Sequence, residues 1–258
     1  MTNRKIVSLL IIFVLALSSA CQTHWVVLHD KTESKVILLD TVNVKQDDAQ
    51  LLQIIKPYKA QIDSEMNVII AYSELALTKD EPEGLLNNFI ADLCFQKGNE
   101  YLQKTNNLTA SFCILNSGGL RSDLPKGAIT LGNVYELMPF DNELVAIQIS
   151  GQNVKKLLGY IVKKGGVPES GIVMGIKADS AQHVIIGNAP FDLSKNYIII
   201  TSDYLSAGND EMSFFKGAIS TYPLPIRVRD AIIEYIKEQT KKGITLNAKL
   251  DKRIYYEK

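Results

Sequence analysis

Histidine and cysteine are scarce in this chain: three of each, with one tryptophan, in 258 residues. Phosphate-ester hydrolysis without a covalent intermediate usually needs metal ions gripped by several His and Asp side chains. His24, His29 and His183 are scattered, and none sits in an H-x-H, H-E-x-x-H or G-N-H arrangement. A dinuclear metal site is therefore not expected in this chain. No G-x-S-x-G elbow and no P-loop of the G-x-x-x-x-G-K-[ST] form occurs either. Charge of one sign is also lacking: 28 basic residues balance 28 acidic ones. That argues against polymeric nucleic acid as a partner, because a phosphate backbone demands a basic excess.

Long apolar runs are absent except at the start. Asn3-Arg4-Lys5 is followed by "IVSLLIIFVLAL", too short for a comfortable membrane span of about 20 residues. The run ends in "LSSAC", with small residues directly before Cys21. This resembles a bacterial lipoprotein signal, in which the cysteine is lipidated and becomes the mature N-terminus. An ordinary secretory signal with an incidental cysteine is the alternative. Removing residues 1–20 takes away Arg4 and Lys5 and no acid, leaving 26 basic and 28 acidic side chains, net −2. The expectation is a membrane-anchored lipoprotein on the periplasmic side, soluble beyond Cys21. Cys94 in "ADLCFQ" and Cys113 in "ASFCIL" have apolar neighbours. They fit buried free thiols, although an oxidising compartment would permit a disulfide.

With 46% hydrophobic residues the chain can bury one sizeable core. Residues 21–45 read as a tether plus an edge strand, "KVILLD". Leu51, Leu52, Ile54, Ile55 and Tyr58 form a helical stripe that Pro57 should end or kink. "MNVIIAYSELAL" reads as a strand. A second helix follows, with Asp80 and Glu83 as a capping box and Leu86, Phe89, Ile90 and Leu93 as its buried face. "ASFCIL" and "NELVAIQIS" read as strands, and Gly151 starts a helix carrying Val154, Leu157, Leu158, Ile161 and Val162. Further strands are predicted at "GIVMGIK", "HVIIG", "YIIITS" and "KRIYYE", with an amphipathic helix at "IRVRDAIIEYIKEQ". Helices and strands mix without strict alternation, which predicts an α+β fold: one compact domain over residues 46–258, a mixed sheet flanked by helices.

The binding inventory is richer than the catalytic one. Asn116-Ser117-Gly118-Gly119 ends a strand in a turn with little side-chain bulk, and Arg121 offers a guanidinium fork to phosphate or ribose oxygens. Phe140 in "MPFDN" and Tyr204 in a second turn-rich stretch offer stacking faces; Asp210 offers an acceptor for sugar hydroxyls. A Gly-Gly pair is usually just a turn and a Phe after Pro usually packs. The residues by themselves leave both readings open.

The run "NSGGLRSDLPKGAITLGNVYELMPFDNELVAIQISGQNVKKLL" resembles the C-terminal, substrate-specificity domain of the 5′-nucleotidase family. So do "EGLLNNFIADL", "ESGIVMGIK", "GNAPFDLSKNYIIITSDYLSAGNDEMSFF" and "RVRDAIIEYI", in the family's order over roughly residues 46–258. The resemblance implies a base stacked between Phe140 and Tyr204, where phenylalanine is more usual at the second position. Asn116 and Arg121, with Gly118 and Gly119, match the Asn-x-Gly-Gly-x-Arg motif. Asn142 matches the polar residue after the aromatic, and Asp210 the aspartate that holds ribose hydroxyls. An arginine that often precedes the opening helix is missing from "LTKDEPEG", and the usual Gly-Gly-Asp-Gly reads Gly208-Asn209-Asp210-Glu211. The signal and short tether stand where full-length members carry a metallophosphatase domain.

The function so implied is the nucleotide-recognition part of a split 5′-nucleotidase. It would not be catalytic alone and would hold no metal or other cofactor of its own. A separate metallophosphatase chain would supply the divalent metals. The alternative is a stand-alone nucleoside- or nucleotide-binding lipoprotein for salvage. A free-standing hydrolase is the least favoured.

Overall fold

A computed structural model describes residues 49–257. The expected signal, Cys21 and the tether over 21–45 lie outside the described residues. Helix α1, Ala49–Met66, runs past Pro57 and buries none of its residues. The predicted end at Pro57 is therefore absent. Proline removes one backbone donor, and in a helix exposed on every side the carbonyl left over can bond water. Leu51, Leu52, Ile54, Ile55 and Tyr58 are all exposed, so this stripe is not a core face.

Strand β1 (Ile69–Ser73) pairs antiparallel with β3 (Gly127–Thr130) in a small two-stranded sheet. Helix α2, Leu85–Asn106, follows, and its N-cap is Gly84 without a side-chain cap bond. The expected capping box does not form. Glu83 instead accepts from the backbone N–H groups of Asp251 and Lys252 and from Asn88 Nδ2, while Asp80 accepts from Glu81 N–H. A long-range tie to the C-terminal segment outcompetes the local one. The predicted inner face of α2 is buried at Leu86, Phe89, Ile90 and Leu93.

The main sheet has five strands. Around β4 (Glu143–Ser150) and β9 (Asn196–Ser202) lie β10 (Ser220–Arg227) at one edge and β2 (Phe112–Ile114) with β5 (Glu169–Ser170) at the other, in the order β10-β4-β9-β2-β5. Only β2 and β9 run parallel; the other pairs are antiparallel. On β4, Leu144 and Ala146 join the core beneath α2 and helix α6 (Val228–Lys241). Val145, Ile147 and Ile149 join a second core with helix α4 (Gly151–Lys164). Both faces of the strand are therefore covered, and its apparent alternation does not divide core from solvent. Gly98 lets α2 approach the sheet: a Cβ there would stand 2.7 Å from Ile200.

Helix α4 begins where Gly151 predicts, capped by Ser150, whose hydroxyl accepts from Asn153 N–H. Val154, Leu157, Leu158 and Ile161 are buried, while Val162 is partly buried. Each buried aliphatic side chain contributes about 1.5–3 kcal/mol. Strands β6 (Ile172–Lys177), β7 (Ser180–Ile186), β8 (Ala189–Pro190) and β11 (Ile254–Tyr256) form a third sheet, ordered β11-β6-β7-β8, that completes this second core. The fold is α+β, as expected, but its strands divide among three sheets, two of them mixed, where one mixed sheet was expected. Strands β3, β5 and β8 escaped the sequence pattern, as did one helix and one edge strand whose local chemistry is informative. Helix α3, Leu131–Leu137, starts with a capping box between Thr130 and Asn133. Strand β10 contains Pro223 and Pro225, which an edge strand tolerates because one side of its ladder is free.

Cys94 and Cys113 are both buried and free. Burial pushes the Cys94 thiol up to about 12, so it is not a reactive thiolate.

Candidate functional site

All eight binding residues expected from the sequence line one cavity of about 330 Å³. Asn116, Gly118, Gly119 and Arg121 come from the segment after β2; Phe140 and Asn142 from the segment between α3 and β4. Tyr204 comes from the one-turn helix α5 (Asp203–Ser206) at the end of β9, and Asp210 from the loop beyond it. The parallel pair β2 and β9 delivers its C-terminal ends to the same edge of the sheet, which is where chain-distant side chains meet.

The Gly-Gly turn is a short 3₁₀ segment, Ser117–Gly119, closed by Gly119 N–H donating to Asn116 O at 3.1 Å. The Gly119 N–H is thus used inside the turn rather than left open toward the cavity. The missing Cβ serves the turn itself: at Gly119 it would lie 2.9 Å from Asn116 Oδ1, and so Asn116 can fold over the turn. Arg121 N–H bonds Leu137 O at 2.8 Å, anchoring its backbone, while its guanidinium makes one bond, Nη1 to Gly118 O at 3.3 Å. The exposed Arg121 forms no ion pair among the described residues, leaving donors open to an anionic or hydroxylated ligand.

Phe140 and Tyr204 are 40% and 43% exposed. Half-exposed rings at a cavity wall lack the full packing of core aromatics and leave apolar surface open to the cavity. Ser202 caps α5 through Leu205 N–H, and Asn209 Nδ2 donates to Tyr204 O at 2.8 Å, tying the Asp210 loop to the ring-bearing turn. Gly208, Asp210 and Glu211 all have positive φ: +84°, +53° and +65°. For Asp210 and Glu211 that conformation costs about 1 kcal/mol or more each. Burial, reinforced by the negative charges of Asp210 and Glu211, pushes the Tyr160 phenol up to about 12.

Sequence reasoning missed the supports behind these walls. Arg229, 7% exposed, donates through Nη1 to the carbonyls of Met138 and Phe140, each at 3.3 Å. Glu211 pairs with Lys163 and Lys164. An arginine in the first turn of an otherwise apolar-faced helix, and a glutamate where the family usually has glycine, were the available signals.

A larger cavity, about 830 Å³, opens at the start of β2. Its Arg253 is fully engaged: Asp92, Asp251 and Glu169 O take all its donors. Glu100, Glu234 and Glu238 converge closely enough to suggest a cation site. The Lys97 ammonium already stands among them, at 2.7, 2.7 and 2.9 Å. Neither place combines free donors with open rings as the 330 Å³ cavity does.

The family profile of the 5′-nucleotidase C-terminal domain matches residues 64–217. The chain belongs to that family. It is 27% identical to a 5′-nucleotidase of Vibrio parahaemolyticus over 191 residues, 70% of this chain and 32% of the relative. A trifunctional nucleotide phosphoesterase protein of Bacillus subtilis shares 27% identity over 253 residues, 89% of this chain and 16% of its own length. The chain thus spans a third or less of these curated relatives. The 5′-nucleotidase precursor of Thermus thermophilus superposes with a TM-score of 0.67 at 24% identity, covering 81% of this chain and 43% of that one. At that identity the likeness shows the fold.

Proposed function

We propose that this chain is the nucleotide-recognition component of a split 5′-nucleotidase, holding base and ribose while a separate metallophosphatase chain hydrolyses the phosphate. The observation that carries this is the convergence of Phe140, Tyr204, Arg121 and Asp210 on one 330 Å³ cavity. The rings supply stacking faces, the aspartate an acceptor for ribose hydroxyls, and the guanidinium donors for phosphate or ribose oxygens. Each stack contributes on the order of 1–3 kcal/mol and tolerates any base.

The chemistry follows from this division of labour. Binding energy at the base and ribose positions the phosphate over the partner's metals, so the gain falls on kcat/KM. The expected lipid at Cys21 would hold the assembly at a membrane on the periplasmic side.

Calorimetric titration with adenosine and AMP tests recognition. Phe140→Ala or Tyr204→Ala is expected to weaken both ligands about tenfold. Unchanged affinity in both variants makes the rings structural only. Coupling is tested by mixing the protein with a metallophosphatase chain that lacks a C-terminal domain of its own. Nucleotide hydrolysis should rise far more than hydrolysis of p-nitrophenyl phosphate, and Arg121→Ala or Asp210→Ala should abolish the rise. Nucleotide binding with no association between the chains favours a stand-alone salvage binder instead.

A further inference from the structure

Phe140 is half exposed, so packing alone cannot fix the plane of its ring. Its backbone is gripped instead. The segment between α3 and β4 offers the carbonyls of Met138 and Phe140 to Arg229 Nη1, and Arg229 Nη2 donates to Asp141 Oδ1. The same guanidinium lies over the Tyr135 ring of α3, 4.5 Å from its centroid. One residue earlier, Val228 N–H donates to Asn142 O at 2.9 Å. The first turn of α6 therefore holds the backbone on both sides of Phe140.

Burying a guanidinium is costly unless its donors are satisfied. Arg229 Nε is buried with no hydrogen-bond partner among the described residues, so only Nη1 and Nη2 offset the cost. The side chain of Arg229 is 8% exposed, whereas that of its carboxylate partner Asp141 is 70% exposed, so the pair is not a closed ion pair of the core. Arg227 also reaches toward Asp141, at 3.9 Å, from the solvent side. What the buried fork gains is the geometry of the loop: two carbonyls, a carboxylate and a ring face seated on one rigid plane.

We propose that Arg229 is a positioning residue for the Phe140 wall, orienting the ring for the planar part of the ligand without touching the ligand. The proposal rests on the reading of this cavity as a base-and-ribose site. A lysine keeps the charge but cannot bond both carbonyls and the carboxylate as a planar fork.

Wild type, Arg229→Lys, Phe140→Ala and the double variant are titrated with AMP and with ribose 5-phosphate, which lacks the base. Arg229→Lys is expected to weaken AMP about tenfold, to leave ribose 5-phosphate unchanged, and to add little in the Phe140→Ala background. Should Arg229→Lys fail to fold by circular dichroism, Tyr135→Leu, which removes only the seat of the guanidinium, takes its place, with the same selectivity and a smaller loss. Equal loss of both ligands, or full additivity with Phe140→Ala, overturns the positioning role and leaves a purely structural arginine. An unmoved Arg229→Lys overturns it as well, if wild type binds AMP and Phe140→Ala weakens it. A wild type that binds no AMP sinks the base-and-ribose reading itself, and the proposal with it.

Discussion

The Glu211 carboxylate lies 2.6 Å from Lys163 Nζ, its other oxygen 2.9 Å from Lys164 Nζ. Through this pair of contacts the loop bearing Asp210 is fastened to the last turn of α4. The lysine hydrogen bonds hold the Glu211 carboxyl down at about 2. A depressed acid keeps its contribution above its ordinary range and loses it only as pH falls toward the folded value, so this tie does not vary between pH 5 and 8.

Glu211→Ala is expected to weaken ribonucleoside binding about two- to fivefold, since exposed pairs are individually modest. Glu211→Gly should show the same binding loss with a higher melting temperature than Glu211→Ala, because glycine accepts φ +65° without strain. In 1 M salt, wild type and variants should converge. Titrations at low and high salt check this; a wild-type affinity insensitive to salt would count against the tie.

Lys97 is 1% exposed and bonded to Glu100, Glu234 and Glu238, linking α2 to α6. Burial works against its charge, but the three carboxylates outweigh this and hold its pKa above the ordinary lysine value. Lys97→Met leaves three carboxylates facing one another and is expected to destabilise the fold by about 3 kcal/mol at pH 7. At pH 4 the loss should shrink, because acid weakens the mutual repulsion of the carboxylates that the variant leaves without their ammonium. Urea denaturation at both pH values measures the difference.

Glu169 is buried, and desolvation pushes its carboxyl up to about 8 against the opposing pull of Arg253. A raised acid is protonated in the fold while ionised in the unfolded chain. It therefore costs stability as pH rises from about 4.5 to about 8, by at most about 1.4 kcal/mol per pH unit. Glu169→Gln should flatten the decline of melting temperature across that window. A parallel decline in the variant would assign the pH dependence to other groups.

Cys21 tests the anchor proposed from "LSSAC". Intact mass of the membrane fraction should show a diacylglycerol-modified mature N-terminus at Cys21, and Cys21→Ser should shift the protein to the soluble fraction. An unmodified mature N-terminus would leave only an ordinary secretory signal.

The local pattern of the sequence determined most elements by itself. Apolar spacing placed the buried face of α2 and the inner side of α4, and Gly151 marked the switch into α4, because these signals act within one or two turns of chain. The order of motifs carried the family and the eight residues that line one cavity. The tertiary structure decided what depends on partners far along the chain. Glu83 left its expected helix cap for the Asp251 and Lys252 backbone, and Pro57 failed to stop a helix exposed on all sides. Strand β10 accepted two prolines because it lies at a sheet edge. The supports of the site, Arg229 behind Phe140 and the lysines behind Asp210, had no sequence signature strong enough to name. Their roles arise only when α6 and α4 are folded against loops about 90 and 50 residues away, where hydrogen-bond geometry rather than residue type selects the partner.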